Sequence, residues 1–336
     1  MVLRRGVSTT GDGGGLDAMT ENRANFITAA DAFDGWKENV LTGRPPTFYP
    51  IGSGELGRIE TGPGLVTLFG GAPGSGKTAF AMQAVTDALR LTPALRAMVC
   101  NVEMPPAVLL DRQLARLSGI DLGTIRYRRF SAGHGDRLDQ AMNTLDALAD
   151  RLAFLRAPFD LKNVAAAADA FNAGLILLDY LQRIPPPGEH GDKRAAVNAT
   201  MDYLRQFADA GGYAVLVVAA VGRTKDNKGR SSYDADGLNL ASFRESSELE
   251  FGADDAFMLA PDPKNSARVT LKHLKARHTE ARDLVLQFDR RCQRFDPIAD
   301  PHTWKPDEHR GKLQKTTRDL WGQTEPAADD DQGEGF

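Results

Sequence analysis

The chain has 336 residues, 42% hydrophobic and 26% charged, which is the composition of a globular protein rather than a disordered, fibrous or disulfide-stapled one. Its formal net charge of −4 supplies no global basic field, so any contact with nucleic acid has to be local. Cys100 and Cys292 lack metal-ligand spacing and read as buried thiols in strand segments, Arg4-Arg5 leads into no apolar stretch, and the run from Ala214 to Val221 is too short to span a bilayer; a cytoplasmic, non-membrane protein is expected.

Residues 1–24 are rich in Gly, Ser and Thr without apolar periodicity and are expected to form a disordered tail. Residues 25–47 read as a linker helix and connector. Ala30, Phe33, Trp36 and Val40 recur at spacings of three and four over Thr28 to Leu41, and Thr28 with Asp31 forms a capping pair. That stripe needs a partner, either its own domain or a neighbouring subunit. Gly43-Arg44-Pro45-Pro46 then breaks the chain.

The core is expected over residues 48–297, with strands near 65–69, 97–102, 175–179, 214–220 and 255–260 and helices between them, an α/β fold with a mostly parallel sheet and helices on both faces. Val269 to Leu274 and Leu284 to Phe288, separated by a charged turn, read as antiparallel additions at one edge. Residues 298–336 are polar; Glu325, Asp329, Asp330, Asp331 and Glu334 with no nearby base predict a solvated, disordered tail.

The first strand leads into Gly70-Gly71-Ala72-Pro73-Gly74-Ser75-Gly76-Lys77-Thr78, a complete G-x-x-x-x-G-K-T loop. Backbone N–H groups of Gly71 through Gly76 can surround a phosphate, the Lys77 ammonium reaches the β- and γ-phosphates, and the Thr78 hydroxyl ligates Mg2+. Ala79 to Leu91 has helical spacing, so its amino end points at the anion. ATP with Mg2+ is the expected ligand pair. Leu175-Ile176-Leu177-Leu178-Asp179 is a buried strand ending in a carboxylate, suited to the metal opposite Thr78. The next residue is Tyr180, which cannot act as a base at neutral pH. Glu103, at the end of the second strand, is the candidate that orients the attacking water.

Glu103-Met104, Asp179-Tyr180-Leu181-Gln182, Phe243-Arg244-Glu245-Ser246 and Lys275-Ala276-Arg277 together resemble the signature segments of the DnaB-type replicative helicase ATPase domain, a RecA-like P-loop NTPase fold. The resemblance covers about residues 43–296. It implies a ring, usually hexameric, with ATP between neighbouring subunits, single-stranded DNA in the central channel, and a helicase loader or primase as a further partner. It implies that Lys275 and Arg277, one residue apart on a strand and so on one face, reach the γ-phosphate of the adjacent subunit, with Arg277 as an arginine finger. It implies that Arg112 stacks on the nucleotide base, and that Arg244, Glu245 and Ser247 belong to a loop on the DNA backbone. The polar stretch Arg223 to Ser242, with Lys225, Lys228 and Arg230, and the proline-rich stretch Pro185 to Arg194 are further loop candidates.

Three departures stand out. Ala220 occupies the place of the family's γ-phosphate-sensing Gln, Ser247 replaces a Gly, and the stretch before residue 48 is too short for the family's N-terminal domain. The helix at 28–41 would be the remaining latch between subunits. The leading reading is a DNA-stimulated ATPase and helicase. The alternatives are a RecA-like regulatory or repair ATPase that binds DNA without unwinding it, and, more remotely, a small-molecule or nucleoside kinase.

Overall fold

The computed structural model describes residues 27–298 except 44, 187, 189–190, 222–223, 226–230 and 233–251. Both expected tails, apart from Ile298, and the candidate DNA loop at 244–247 lie outside the described residues. The chain divides into two compact units, Met1–Pro46 and Thr47–Phe336.

In the first unit, α1 (Ala29–Thr42) carries the expected capping box: Asp31 N–H donates to Thr28 Oγ1 at 3.1 Å and Thr28 N–H to the Asp31 carboxylate at 3.3 Å. Gly43, in the left-handed region, ends it. None of its residues is buried; Phe33 and Trp36, 51% and 58% exposed, touch each other with ring centroids 5.3 Å apart.

The second unit is built from β1 (Val66–Gly71), α2 (Lys77–Leu91), β2 (Ala97–Asn101), α3 (Pro106–Ser118), α4 (Leu122–Arg126), α5 (Gly135–Ala149), β3 (Leu152–Phe154), α6 (Leu161–Phe171) and β4 (Leu175–Asp179). Then follow α7 (Lys193–Gly211), β5 (Ala214–Ala220), the short pair β6 (Thr224–Lys225) and β7 (Ser231–Ser232), β8 (Asp255–Pro261), β9 (Arg268–Ala276), β10 (Leu284–Asp289) and β11 (Arg294–Pro297). Nine strands form one sheet in the order β11-β10-β9-β8-β1-β5-β4-β2-β3. From β8 to β3 the pairs are parallel; β9, β10 and β11 add antiparallel strands at one edge, as the sequence predicts.

The central strands are apolar on both faces because helices cover both. Leu177, Leu216 and Val218 pack with α2 residues Phe80, Ala84 and Val85, while Ile176, Val215 and Val217 pack with Val164 and Ala168 of α6 and Met201 and Leu204 of α7. Alternate residues of one strand thus serve two core layers, and truncating Leu177 to Ala costs about 2–5 kcal/mol. Helices α3, α4 and α5 enclose a third, smaller core around Leu114, Ile120 and Ile125.

Two strands of the nine-stranded sheet escape the sequence pattern, as does the short β6–β7 pair within the stretch read as a loop. β3 is a half-buried three-residue edge strand, and β11 alternates exposed Arg294 with buried Phe295 over too few residues to be read as a strand. Cys292 is a correction: it lies in the turn between β10 and β11 rather than in a strand, although it is buried and, like Cys100, a free thiol. Among the described residues no helix is long and apolar enough to cross a membrane.

Candidate functional site: a phosphate-loop cleft

The strand β1 leaves the sheet at Gly71, and the loop through Ala72, Pro73, Gly74 and Ser75 turns into α2. Gly76 has a φ of 94°, in the left-handed region, and a Cβ there would lie 2.7 Å from Phe295 Cζ and 2.9 Å from Phe288 Cε1. Both rings come from the β10–β11 hairpin, stacked with centroids 4.0 Å apart. The antiparallel edge is therefore one wall of the phosphate loop, which is why the loop requires glycine at this position. Lys77 Nζ donates to the carbonyls of Gly71 at 2.7 Å and Ala72 at 3.0 Å. Burial lowers its pKa, while the carboxylates of Asp179 and Glu103 act in the opposite direction.

Asp179 ends β4 and is buried. Burial pushes its carboxyl above the usual range; a hydrogen bond with Thr78 opposes this, Glu103 adds to it, and Lys77 and Arg112 oppose it. The Thr78 hydroxyl and Asp179 carboxylate supply oxygen donors only, and beside a phosphate loop that set fits a hard, water-retaining Mg2+. Asn101, the last residue of β2, was not legible as part of the site. Its Nδ2 donates to Asp179 Oδ2 at 2.7 Å, and its Oδ1 accepts from the N–H groups of Glu103 at 3.0 Å and Met104 at 2.7 Å. One side chain thereby sets the spacing between the two candidate carboxylates. A polar residue ending an apolar strand two positions before Glu103 was the available signal.

These groups open on a cleft of about 590 Å³, lined on one side by Glu103, Met104, Arg112 and Tyr180 and on the other by Phe288, Arg290 and Gln293. Its volume suits a nucleotide. Arg112, from α3, has its pKa lowered by burial. Arg290 donates from Nη1 to the Gly74 carbonyl at 2.8 Å and lies 4.8 Å above the Phe288 ring. Arg290 and Gln293 also escaped sequence reading, because a turn between edge strands carries no periodic signal.

Ala220 reaches the cleft at the end of β5. Its N–H donates to Gln182 Oε1 and its carbonyl accepts from Gln182 Nε2, both at 3.2 Å. The strand end thus presents a methyl group whose neighbouring backbone polar groups are already taken.

Lys275 and Arg277 lie at the opposite end of the sheet. Gly71 pairs with Leu259, whereas Lys275 pairs with Ala256 and Arg277 N–H donates to Asp254 O at 3.0 Å. Along β8 and the residue before it, three residues separate the Gly71 level from that of Lys275 and five from that of Arg277, about 10 and 17 Å at roughly 3.3 Å per residue, and both cations lie toward the sheet end away from the phosphate loop of their own chain. Both face one short segment: Lys275 Nζ donates to Ala253 O at 2.7 Å and Arg277 Nε lies 3.3 Å from Asp254 Oδ1. Asp254 is buried, accepts from Val66 N–H at 2.9 Å and also pairs with Arg205. Arg244, Glu245 and Ser247 lie outside the described residues.

A glycine loop feeding a helix, with carboxylates at or just past neighbouring strand ends of a mostly parallel sheet, defines a nucleotide-binding protein of the RecA-like phosphate-loop fold. Residues 59–297 match the model of the DnaB-like helicase C-terminal domain, and the chain belongs to that family, a helicase-type ATP hydrolase. The fold is similar to a solved ATPase domain, with a TM-score of 0.71, 18% identity and coverage of 82% of this chain and all of that one. It is likewise similar to a DnaB-like replicative helicase solved for its interactions with primase, with a TM-score of 0.70, 18% identity, and coverage of 82% and 68% of the two chains. No curated protein sequence matches the chain.

Proposed function

We propose that this chain is the motor of a ring-forming replicative DNA helicase that tracks single-stranded DNA in the cytoplasm. One observation carries the reading: the cleft holding Lys77, Asp179 and Glu103 and the cations Lys275 and Arg277 occupy opposite ends of one sheet. A single chain holds both halves of a catalytic site but cannot bring them together. Adjacent copies placed head to tail can, and a closed ring of six satisfies every site.

In the assembled site Lys77 would exchange the Gly71 and Ala72 carbonyls for the β- and γ-phosphates of ATP. The loop N–H groups from Gly71 to Gly76 would surround them, and Arg112 would stack on the base. Thr78 and Asp179 would hold Mg2+, which when bound neutralises phosphate charge. Glu103 accepts a proton from water as that oxygen bonds to the γ-phosphorus. The bond from that phosphorus to the β–γ bridging oxygen breaks, and the electron pair leaves with ADP. The neighbour's Arg277, with Lys275 beside it, stabilises the charge that develops.

Under this reading residues 1–24 are a tail, 25–47 a linker whose exposed Phe33 and Trp36 dock on a neighbouring subunit, 48–297 the motor and 298–336 an acidic tail. Arg244, Glu245 and Ser247 would contact the DNA backbone. The similar helicase solved with primase supports a primase or loader as a partner. The deciding experiment is strand displacement on forked DNA with ATP and with a non-hydrolysable analogue. Unwinding with ATP alone supports the reading, and DNA-stimulated hydrolysis without unwinding supports a second one. That second reading, a RecA-like regulatory or repair ATPase, is favoured by Ala220, whose methyl group cannot sense a phosphate and whose backbone is held by Gln182.

A further inference from the structure

A chain of net charge −4 gathers arginine and aromatic residues at one turn, Arg126-Tyr127-Arg128-Arg129-Phe130. All five are exposed, Tyr127 by 63% and Phe130 by 39%, while Ile125 just before them is buried in the small core of α3, α4 and α5. The turn is held by its backbone: the N–H groups of Tyr127, Arg128 and Arg129 donate to the carbonyls of Gly123, Ile125 and Thr124 at 3.0, 3.0 and 2.9 Å. Arg128 adopts a φ of 55°, and its guanidinium anchors the turn, donating to Ile125 O at 2.7 Å and pairing with Asp111 at 2.8 Å. The other two guanidiniums flank the Tyr127 ring, Arg126 at 6.0 Å and Arg129 at 5.2 Å from its centroid. Leu122 N–H donates to Arg291 O at 2.8 Å, so α4 is tied to the β10–β11 turn.

An exposed ring flanked by two cations, with a second exposed ring three residues on, matches one ligand chemistry: flat unpaired bases joined by phosphates. A duplex hides its base faces, and an acidic protein surface would use the charges without the rings. We propose that Arg126–Phe130 is a second contact surface for single-stranded nucleic acid, distinct from the 244–247 segment. Tyr127 and Phe130 stack on bases, and Arg126 and Arg129 meet phosphates. The inference extends the proposed single-stranded DNA motor and stands on different residues.

The test is oligothymidylate binding to the full chain by fluorescence anisotropy across a salt series, for wild type, Tyr127→Ala/Phe130→Ala, Arg126→Ala/Arg129→Ala and Arg244→Ala, with melting temperature and oligomer size measured for each. Loss of the two rings should weaken binding about thirtyfold or more, and loss of the two arginines should weaken it measurably at low salt. Loss of the two arginines should also flatten the log–log salt slope by about 1.4. Tyr127→Phe, which keeps the ring, should retain affinity, and ultraviolet crosslinking should label Tyr127. Unchanged affinity and slope in folded patch variants overturn the proposal. So do an altered oligomer size, which would assign the patch to a subunit interface, and equal competition by polyglutamate. If only Arg244→Ala weakens binding, this inference fails and the motor reading stands; if wild type binds no oligothymidylate, both fail.

Discussion

The two ends of the central sheet treat their charged residues in opposite ways. At the carboxyl end, Lys77 rests on carbonyls of its own loop beside a cleft of about 590 Å³, contacts that an incoming phosphate replaces. At the amino end, buried Asp254 gathers Val66 N–H, Arg205 and Arg277, and Lys275 holds the Ala253 carbonyl. The first end leaves its lysine beside an open cleft; the second holds its cations against a buried carboxylate and a backbone carbonyl, and under the proposed function it is from there that they reach a neighbouring copy.

The comparison breaks most visibly at Arg277. Arg277→Ala should lower ATP turnover by about 10³-fold or more, measured in the assembled protein, because a finger contributes mainly to the transition state. Glu103→Gln should lower turnover by about 10²–10⁴-fold while equilibrium binding of labelled ATP persists. Asp254→Ala strands Arg205, Arg277 and the Val66 N–H and should destabilise the fold by about 3–5 kcal/mol in urea denaturation, far from the cleft. Asn101→Ala removes the bridge between Asp179 and the backbone of Glu103, for a loss of about 1–3 kcal/mol by the same assay.

The smallest effect has the opposite sign. The Asp179 carboxyl holds its proton more tightly in the fold than in the unfolded chain, where it titrates near 3.8. Its contribution to stability therefore falls as pH rises from 3.8 through the raised folded value. Asp179→Asn removes that fall. Scanning calorimetry without nucleotide should find variant and wild type alike below the ordinary carboxylate range, and the variant the more stable at neutral pH.

How much was legible follows from the same physics. Long apolar runs and the glycine loop announce central strands and a phosphate site, because burial on both faces and close backbone approach leave few residue choices. Glu103 was legible as a candidate from what Tyr180 could not do, and it lines the cleft. Asn101, Arg290 and Gln293 were not, since each acts through a contact distant in sequence or sits in a turn without period. β11 was hidden for a related reason: half of its side chains face water, and its identity comes from pairing with β10. Cys292 was misplaced because an apolar neighbour, Phe295, makes the turn before it look like strand. The bulge at Ala256–Phe257, which shifts the register of β9 before Lys275, likewise depends on pairing that no single strand reveals.

The central claim is that each active site is shared between two copies, and mixing tests it directly. Arg277→Ala and Lys77→Ala subunits, each inactive alone, should recover part of wild-type turnover when assembled together, because some interfaces then join an intact Lys77 to an intact Arg277. No recovery in mixed assemblies of normal size, or full turnover by a strictly monomeric wild-type chain, would contradict it.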